Sequence, residues 1–474
     1  MAEPVYTLAL ELAVGSLTQL TSLCTRASNA RTIADAFTPL TPDEALFEMV
    51  NDVGSFSPLL NPGLLIGRQV KLTATHGGSS FNLYAGRVKS FATRPVMGER
   101  TTVIEALTDV DRMQKKRLDT GILTSINASS LFTEIMTRCA VSSFTAEALT
   151  DVVDYAWYRD RNAANALDQL VQSGYYQFFG DGAGTMQLKS RYFAAFSTSV
   201  DTLDAQALDM NYALTDRGVV NKASVRAVPR QQISTISTLA YLANPVLLPA
   251  SGHVGFFASF LDPRDFQTSV PVGSIVALVS STDYYAAQNS DGTGTNFTSA
   301  LSLNTAVFGA SLVTSIFNAN SADVYLTRFQ VRGYPILAGA ELLVKIDDTS
   351  SQNAFGLREA AFDENLLTGY SYLRDLALSV VGDRKEPRDQ FQVTLSNEFP
   401  NVLRYEVGDQ LSVINSLTGV NSTWSVRRMQ HEVTMTRGLE HVARYDLDRF
   451  APRPWLVLDH PTYGKLDSGR QLAL

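Results

Sequence analysis

The feature that most constrains this chain is an internal repeat whose two copies lie near opposite ends of the sequence. Gly67-Arg68-Gln69-Val70-Lys71-Leu72 near the front is matched by Gly408-Asp409-Gln410-Leu411-Ser412-Val413 near the back. Each is followed by an aromatic-bearing strand pattern, Phe81 to Val88 and Trp424 to Met429. Each then runs through a further strand into a matched tetrapeptide, Asp109-Val110-Asp111-Arg112 or Asp446-Leu447-Asp448-Arg449. Upstream, Val50-Asn51 and Ser396-Asn397 fall in comparable places. One such coincidence is cheap, but four in the same order point to two copies of one small β-barrel or sandwich. They cover about residues 1–118 and 346–450. In each copy a glycine opens the tight turn into a strand. The aspartates with arginine read as a surface salt-bridge cluster at a sheet exit, not as a catalytic pair.

The rest of the chain folds between the copies. At roughly 100–200 residues per domain, 474 residues make three or four domains. Residues 119–190 read as a small α+β domain and 191–345 as a β-rich domain, with a sandwich over about 230–345. Residues 451–474, with Pro452, Pro454, Trp455 and Pro461, read as a C-terminal arm. The fold class is therefore mainly β with minor α, a multi-domain α+β chain with the barrels flanking the other units. Three segments carry helical periodicity. Leu131, Ile135 and Cys139 recur along Ser130 to Ala140. Ala163, Ala166, Leu167 and Leu170 form a stripe that Gly174 ends, and Leu366, Leu367, Tyr370, Leu373, Leu376 and Ala377 share a face over 366–380. Phe178 to Leu188 reads as a hairpin with a glycine-rich turn, Gly180-Asp181-Gly182-Ala183-Gly184.

Composition narrows the function. A hydrophobic fraction of 45% excludes a disordered chain, and a net charge of −8 argues against gripping nucleic acid through its phosphates. Two cysteines, Cys24 and Cys139, make neither a disulfide framework nor a zinc site and read as buried thiols. The N-terminus carries no secretory pattern, and the most apolar window, Pro245 to Phe260, is interrupted by Pro249 and Gly252, so no membrane segment is expected.

Chemistry is sparse. His431-Glu432 is not completed by a histidine at Met435, so the zinc-protease pattern fails. No phosphate-cradling loop with its lysine occurs, and the glycine turn at 180–184 precedes no helix. Asp347-Asp348, Glu359 and Asp363-Glu364 read as solvated loop carboxylates. The expected catalytic, cofactor-binding and metal residues are none, and the chain is not read as an enzyme.

An ordered series of motifs resembles the tail-tip, baseplate hub or minor tail, proteins of long-tailed bacteriophages. It comprises Leu46 to Asn51, Gly54-Ser55-Phe56-Ser57-Pro58, Gly67-Arg68-Gln69-Val70, Tyr84-Ala85-Gly86-Arg87-Val88 and Ala106-Leu107-Thr108-Asp109. It continues at Ser129 to Val141, Ala163 to Gly174, Phe179 to Leu188, Gly218 to Asn221, Tyr325 to Gly333 and Val407 to Gln410. The resemblance implies two tube-like barrels per chain, so that a homotrimer presents a pseudo-sixfold ring. Such a ring closes the tail tube, adapts sixfold to threefold symmetry and lets viral double-stranded DNA pass its lumen unbound. The implied partners are copies of itself, a distal tail protein or tail tube, a tape measure protein and tip or fibre proteins, within the virion. Two alternatives compete: a hexameric distal tail protein, and a tail protein binding host surface glycans through the 230–345 sandwich, with Tyr284, Tyr285 or Phe297 stacking on sugar.

Overall fold

The computed structural model describes residues 3–96, 99–191, 193, 199–203, 209–397, 400–435 and 439–449, with two short strands at Trp455–Leu456 and Gln471–Leu472. Apart from those strands, the arm read at 451–474 lies outside the described residues. Strand makes up 51% of the chain and helix 15%, so the fold is mainly β with minor α.

Both ends of the chain contribute to one 13-stranded sheet. In the front copy the strands run, side by side, Cys24–Thr32, Glu44–Val50, Glu99–Leu107, Ser79–Val96, Gln69–His76 and Val5–Ala13. The back copy repeats that order as Asp209–Thr215, Arg388–Ser396, Glu440–Arg449, Val420–Thr434, Gln410–Asn415 and Ser199–Leu203. One direction differs: Val5–Ala13 is antiparallel to its neighbour, whereas Ser199–Leu203 is parallel. The copies are fused because Cys24–Thr32 also pairs antiparallel with Val420–Thr434, from Arg26 opposite Thr434 to Thr32 opposite Arg428. Alternating burial along Gln69–His76 and Glu44–Val50 puts one face of these strands inside. A single core results, holding Phe47, Leu72 and Tyr84 from the front with Phe391, Trp424 and Tyr445 from the back.

The block after the front copy has its own core around the helices Ala128–Arg138 and Ala163–Gly174. Leu131, Ile135 and Cys139 are buried, as are Ala163, Ala166, Leu167 and Leu170. Asn162 caps the second helix by accepting from the Asn165 N–H at 3.2 Å. Gln177–Gly180 and Met186–Lys189 form the hairpin around the glycine turn.

The helix expected over 366–380 runs Tyr370–Arg384. Leu366 and Leu367 are buried ahead of it in the α+β core, and Tyr370 is exposed. The helix buries Leu373, Leu376, Ala377 and Val380 against a three-stranded sheet of Leu342–Asp347, Lys222–Ala227 and Glu359–Glu364. Adjacent apolar runs that serve two different cores look like one amphipathic face in sequence, because periodicity carries no information about the partner.

In the central β-rich block, the 15-residue strand Val324–Ala338 pairs with five short strands, among them Ser237–Tyr241, Val272–Ile275 and Tyr284–Ala287. Together with a second sheet of His253–Ser259, Ser311–Asn318 and Leu301–Phe308, it encloses Leu239, Phe260, Leu312, Ile316, Leu326 and Val331. Among the described residues no helix is long and apolar enough to cross a membrane.

Candidate functional site: the joint between the two copies

The repeat holds at the level of single hydrogen bonds. Gly67 (φ 86°) donates its N–H to the Val88 carbonyl at 2.7 Å, and Val88 donates back to Arg68 at 2.8 Å. Gly408 (φ 93°) donates to Val426 at 2.9 Å, and Val426 donates back to Asp409 at 2.9 Å. Only glycine enters that left-handed turn without strain, which accounts for its presence in both copies. One residue further on, each central strand carries a bulge, between Val88 and Ser90 and between Val426 and Arg428. Asn51 N–H donates to Arg100 and Asn397 N–H donates to His441, at matching places on the returning strand.

The tetrapeptides do not share this equivalence. Paired through the bulges, Ser90 opposes Glu105 and Arg428 opposes Asp446, so the counterpart of Asp446 is Glu105, not Asp109. The front strand ends at Leu107 and Asp109-Val110-Asp111-Arg112 enters the helix Val110–Lys115, whereas Asp446-Leu447-Asp448-Arg449 lies within Glu440–Arg449. Both do form ion pairs: Arg87 with Asp109 at 2.8 Å, Arg388 with Asp448 at 3.1 Å and Arg449 with Asp389 at 2.9 Å.

Polar side chains lock the joint. Arg31, on the joining strand, is 1% exposed and donates to both Glu406 carboxylate oxygens, at 2.5 and 3.1 Å. Burial works against its charge, but the Glu406 carboxylate outweighs it and holds the guanidinium pKa above its ordinary value. Glu406 sits in the turn ahead of Gly408, where its N–H donates to Asp409 at 2.8 Å. The hairpin tip reaches the same place: a Cβ on Gly182 would collide with the Asn82 backbone and crowd the Glu406 carboxylate. Nearby, Asp43 is pushed up to about 7 by burial, against the opposing Thr32 N–H and Arg31.

A second buried chain links Tyr6 to His441 at 2.7 Å and His441 to His431 at 2.8 Å. A neutral His441 protonated on Nε2 satisfies both bonds, accepting from the Tyr6 hydroxyl and donating to His431 Nδ1. Burial holds both imidazoles far below their ordinary pKa, His441 at about 3. His431 is thus an interior residue of a strand. Among the described residues no three metal-ligating side chains gather.

The remaining sequence candidates scatter. Asp348 caps the helix Thr349–Phe355, accepting from Ser351 N–H at 2.9 Å. Glu359 pairs with Lys222 and Asp363 with Arg226, on exposed ground. Glu364 alone is buried, and burial pushes it up to about 7. Cys24 and Cys139 are buried free thiols, and burial pushes Cys24 up to about 12. On the sandwich, Tyr284 and Phe297 pack against its core, while Tyr285 lines a surface cavity with Asp291 and Arg328. Arg31, Glu406, Tyr6 and His441 carry no motif, so sequence reading passes over them. Their roles come from strands far apart in the chain.

No protein-family model and no curated protein matches the chain. Among solved structures, the tail protein from Neisseria meningitidis MC58 superposes with a TM-score of 0.52 at 8% identity, over 94% of this chain and 96% of that one. This chain shares that tail protein's fold. The likeness spans nearly the whole of both chains, so all the units are included. A 43 kDa tail protein of prophage MuSo2 from Shewanella oneidensis gives 0.49 at 9% identity, covering 94% and 98%. Prophage tail protein gp18 from Listeria monocytogenes gives 0.42 at 10%, covering 94% of each.

Proposed function

We propose that this chain is a structural, non-enzymatic virion protein, the baseplate or tail-tip hub of a long-tailed bacteriophage. It would act as a homotrimer whose six sheet copies form a pseudo-sixfold ring at the distal end of the tail tube. The observation that carries this reading is the hydrogen-bond-level repeat, Gly67–Val88–Asn51 against Gly408–Val426–Asn397. A protein with sixfold neighbours on one side and threefold neighbours on the other gains a match to both from two copies per chain. A hexameric distal tail protein needs only one copy, so the duplication favours the hub.

Under this reading the ring-forming copies are 1–118 and 346–450, the latter completed by the strands Ser199–Leu203 and Asp209–Thr215, with 119–190 and the rest of 191–345 as the parts between and outside them and 451–474 as an arm toward a neighbour. The partners are the distal tail protein or tube, the tape measure protein and tip or fibre proteins. Double-stranded DNA passes the lumen without being held, because an acidic wall repels phosphates. Electron microscopy of purified protein and of particles tests the whole. A threefold ring with six similar lobes supports it; a monomer in solution together with no ring in the tail overturns it. A lumen mapped as strongly basic overturns the passage claim alone.

A further inference from the structure

The internal joint is a template for a second one. Because the copies share one strand order, every edge used inside the chain has a counterpart elsewhere. Inside, Cys24–Thr32 lies on residues 428–434 of Val420–Thr434, just past the bulge. The counterpart of Cys24–Thr32 is Asp209–Thr215, which ends the sheet and pairs only with Arg388–Ser396 among the described strands. The counterpart of residues 428–434 is the end of Ser79–Val96 from Ser90 onward, which among the described strands pairs only with Glu99–Leu107. Among the described strands, two complementary edges are therefore unpaired on the same molecule, on strands that cannot reach each other within it without undoing the sheet order.

The side chains on these edges fit the same idea. Arg26 and Glu432 form an ion pair across the internal joint at 2.6 Å. Their counterparts are Asp209 and Arg94, the same pair with signs exchanged. Both are exposed, and neither has an ion-pair partner among the described residues. On the other face, Ala27, Asn29 and Arg31 are buried against Met429, His431 and Val433. Of their counterparts Met210 is half-buried against the core, whereas Tyr212 and Leu214 are exposed, Leu214 by 62%, and Phe91 on the opposing edge is half-buried. An unpaired edge strand that exposes side chains such as Leu214 is costly to leave open.

We infer that the free edge of Asp209–Thr215 pairs antiparallel with the free edge beginning at Ser90 in a second copy of this chain. The register carried over from the internal joint sets Thr215 opposite Ser90, Leu214 opposite Phe91, Ala213 opposite Ala92, Tyr212 opposite Thr93 and Asn211 opposite Arg94. Asp209 then meets the same Arg94 diagonally, as Arg26 meets Glu432. Pro95 offers no N–H, so the ladder ends there. Such a contact joins two different edges, so it is heterologous and propagates around a ring until it closes. Internal and external joints would alternate around that ring. The inference rests on the ring reading above only for closure, since the edges and the register come from the chain's own repeat.

The test uses the full chain with Ala213→Cys and Ala92→Cys together. Their counterparts Ala30 and Gln430 are directly opposed, at a spacing a disulfide can bridge. Mild oxidation is expected to give chain-to-chain products that stop at three chains, while the register-shifted pair A213C with S90C gives at least tenfold less. In a separate series, Arg94→Glu lowers the assembled fraction at least tenfold, and adding Asp209→Arg restores it. Circular dichroism of the single variant, unchanged from wild type, separates lost assembly from lost folding. A ring seen by microscopy with no in-register product overturns this joint and leaves the ring reading standing. Products running past three chains support the joint and overturn the closed trimer. A protein that stays monomeric and uncrosslinked at high concentration overturns both.

Discussion

The front and back copies agree where the backbone is hard to satisfy and differ where they meet neighbours. The left-handed glycine turn, the bulge beyond it and the asparagine after the first inner strand recur with the same hydrogen bonds. These positions have few chemical solutions. The joining strands have drifted: the buried Arg31 stands where the back copy has exposed Leu214. Likewise, buried His431 stands where the front copy has exposed Thr93. Twist and turn geometry are set by the chain itself, whereas edge chemistry answers to whatever lies across the edge.

The largest expected effect comes from removing the partner of the buried Arg31 guanidinium. Glu406→Ala removes the carboxylate that Arg31 donates to and leaves its buried charge only Met429 Sδ at 3.1 Å and the nearby Asp43 and Asp181 carboxyls, at a cost of about 3 kcal/mol. Arg31→Met, which makes the front joint resemble the apolar back edge, is expected to cost clearly less. Denaturant midpoints of the two variants decide; equal losses would mean that the ion pair, not the stranded charge, carries the energy.

Next come the glycines. At Gly67 a Cβ meets nothing within 4 Å, so Gly67→Ala costs only backbone strain, about 1 kcal/mol. At Gly408 it would press on Phe193 at 3.1 Å and Phe179 at 3.3 Å, and Gly408→Ala should cost about 2 kcal/mol. Thermal unfolding of both variants measures the difference. Equal shifts would show that the aromatic neighbours yield freely.

Acid should act on the joint through two opposed sets of groups. His431 and His441 are held neutral, so their contribution is complete above about 6.5 and is lost as pH falls toward 3. The loss is at most about 1.4 kcal/mol per pH unit for each histidine. Asp43, pushed up to about 7, has the opposite sign: the fold gains as pH falls from about 7 to about 4. Unfolding midpoints between pH 7 and pH 4 should therefore fall less in His431→Gln/His441→Gln than in wild type, and more in Asp43→Asn. Parallel curves for all three would remove both groups from the acid response.

The smallest effect is expected at the free edge. Leu214→Ser should change the stability of the isolated chain by no more than about 0.5 kcal/mol, because the side chain touches little there. A larger loss in dilute, monomeric protein would place Leu214 in an internal contact instead.

Much of the fold was legible because its signals are local. Gly67 and Gly408 announce left-handed turns, alternating strands announce their buried face, and Leu131, Ile135 and Cys139 announce a helix stripe. Identity alone misled at Asp109-Val110-Asp111-Arg112, where three matching letters of four sit out of register with Asp446-Leu447-Asp448-Arg449. A tetrapeptide says nothing about which strand residue it opposes. The helix Tyr370–Arg384 was displaced for a related reason, since Leu366 and Leu367 belong to a different core.

What the sequence determined by itself is that this chain holds two versions of one β-unit at its ends, with mainly β structure between them. Turn geometry and side-chain alternation are properties of a few consecutive residues, so they survive in the letters. Only the tertiary structure decided that the two units share a sheet and a core, that Arg31 finds Glu406, and that Tyr6, His441 and His431 form one buried chain. The Arg31–Glu406 and Tyr6–His441 contacts join residues hundreds of positions apart, and strand-to-strand register depends on both partners at once. Two edges are left free by the same pairing, and they became visible only when the internal joint could be laid over them.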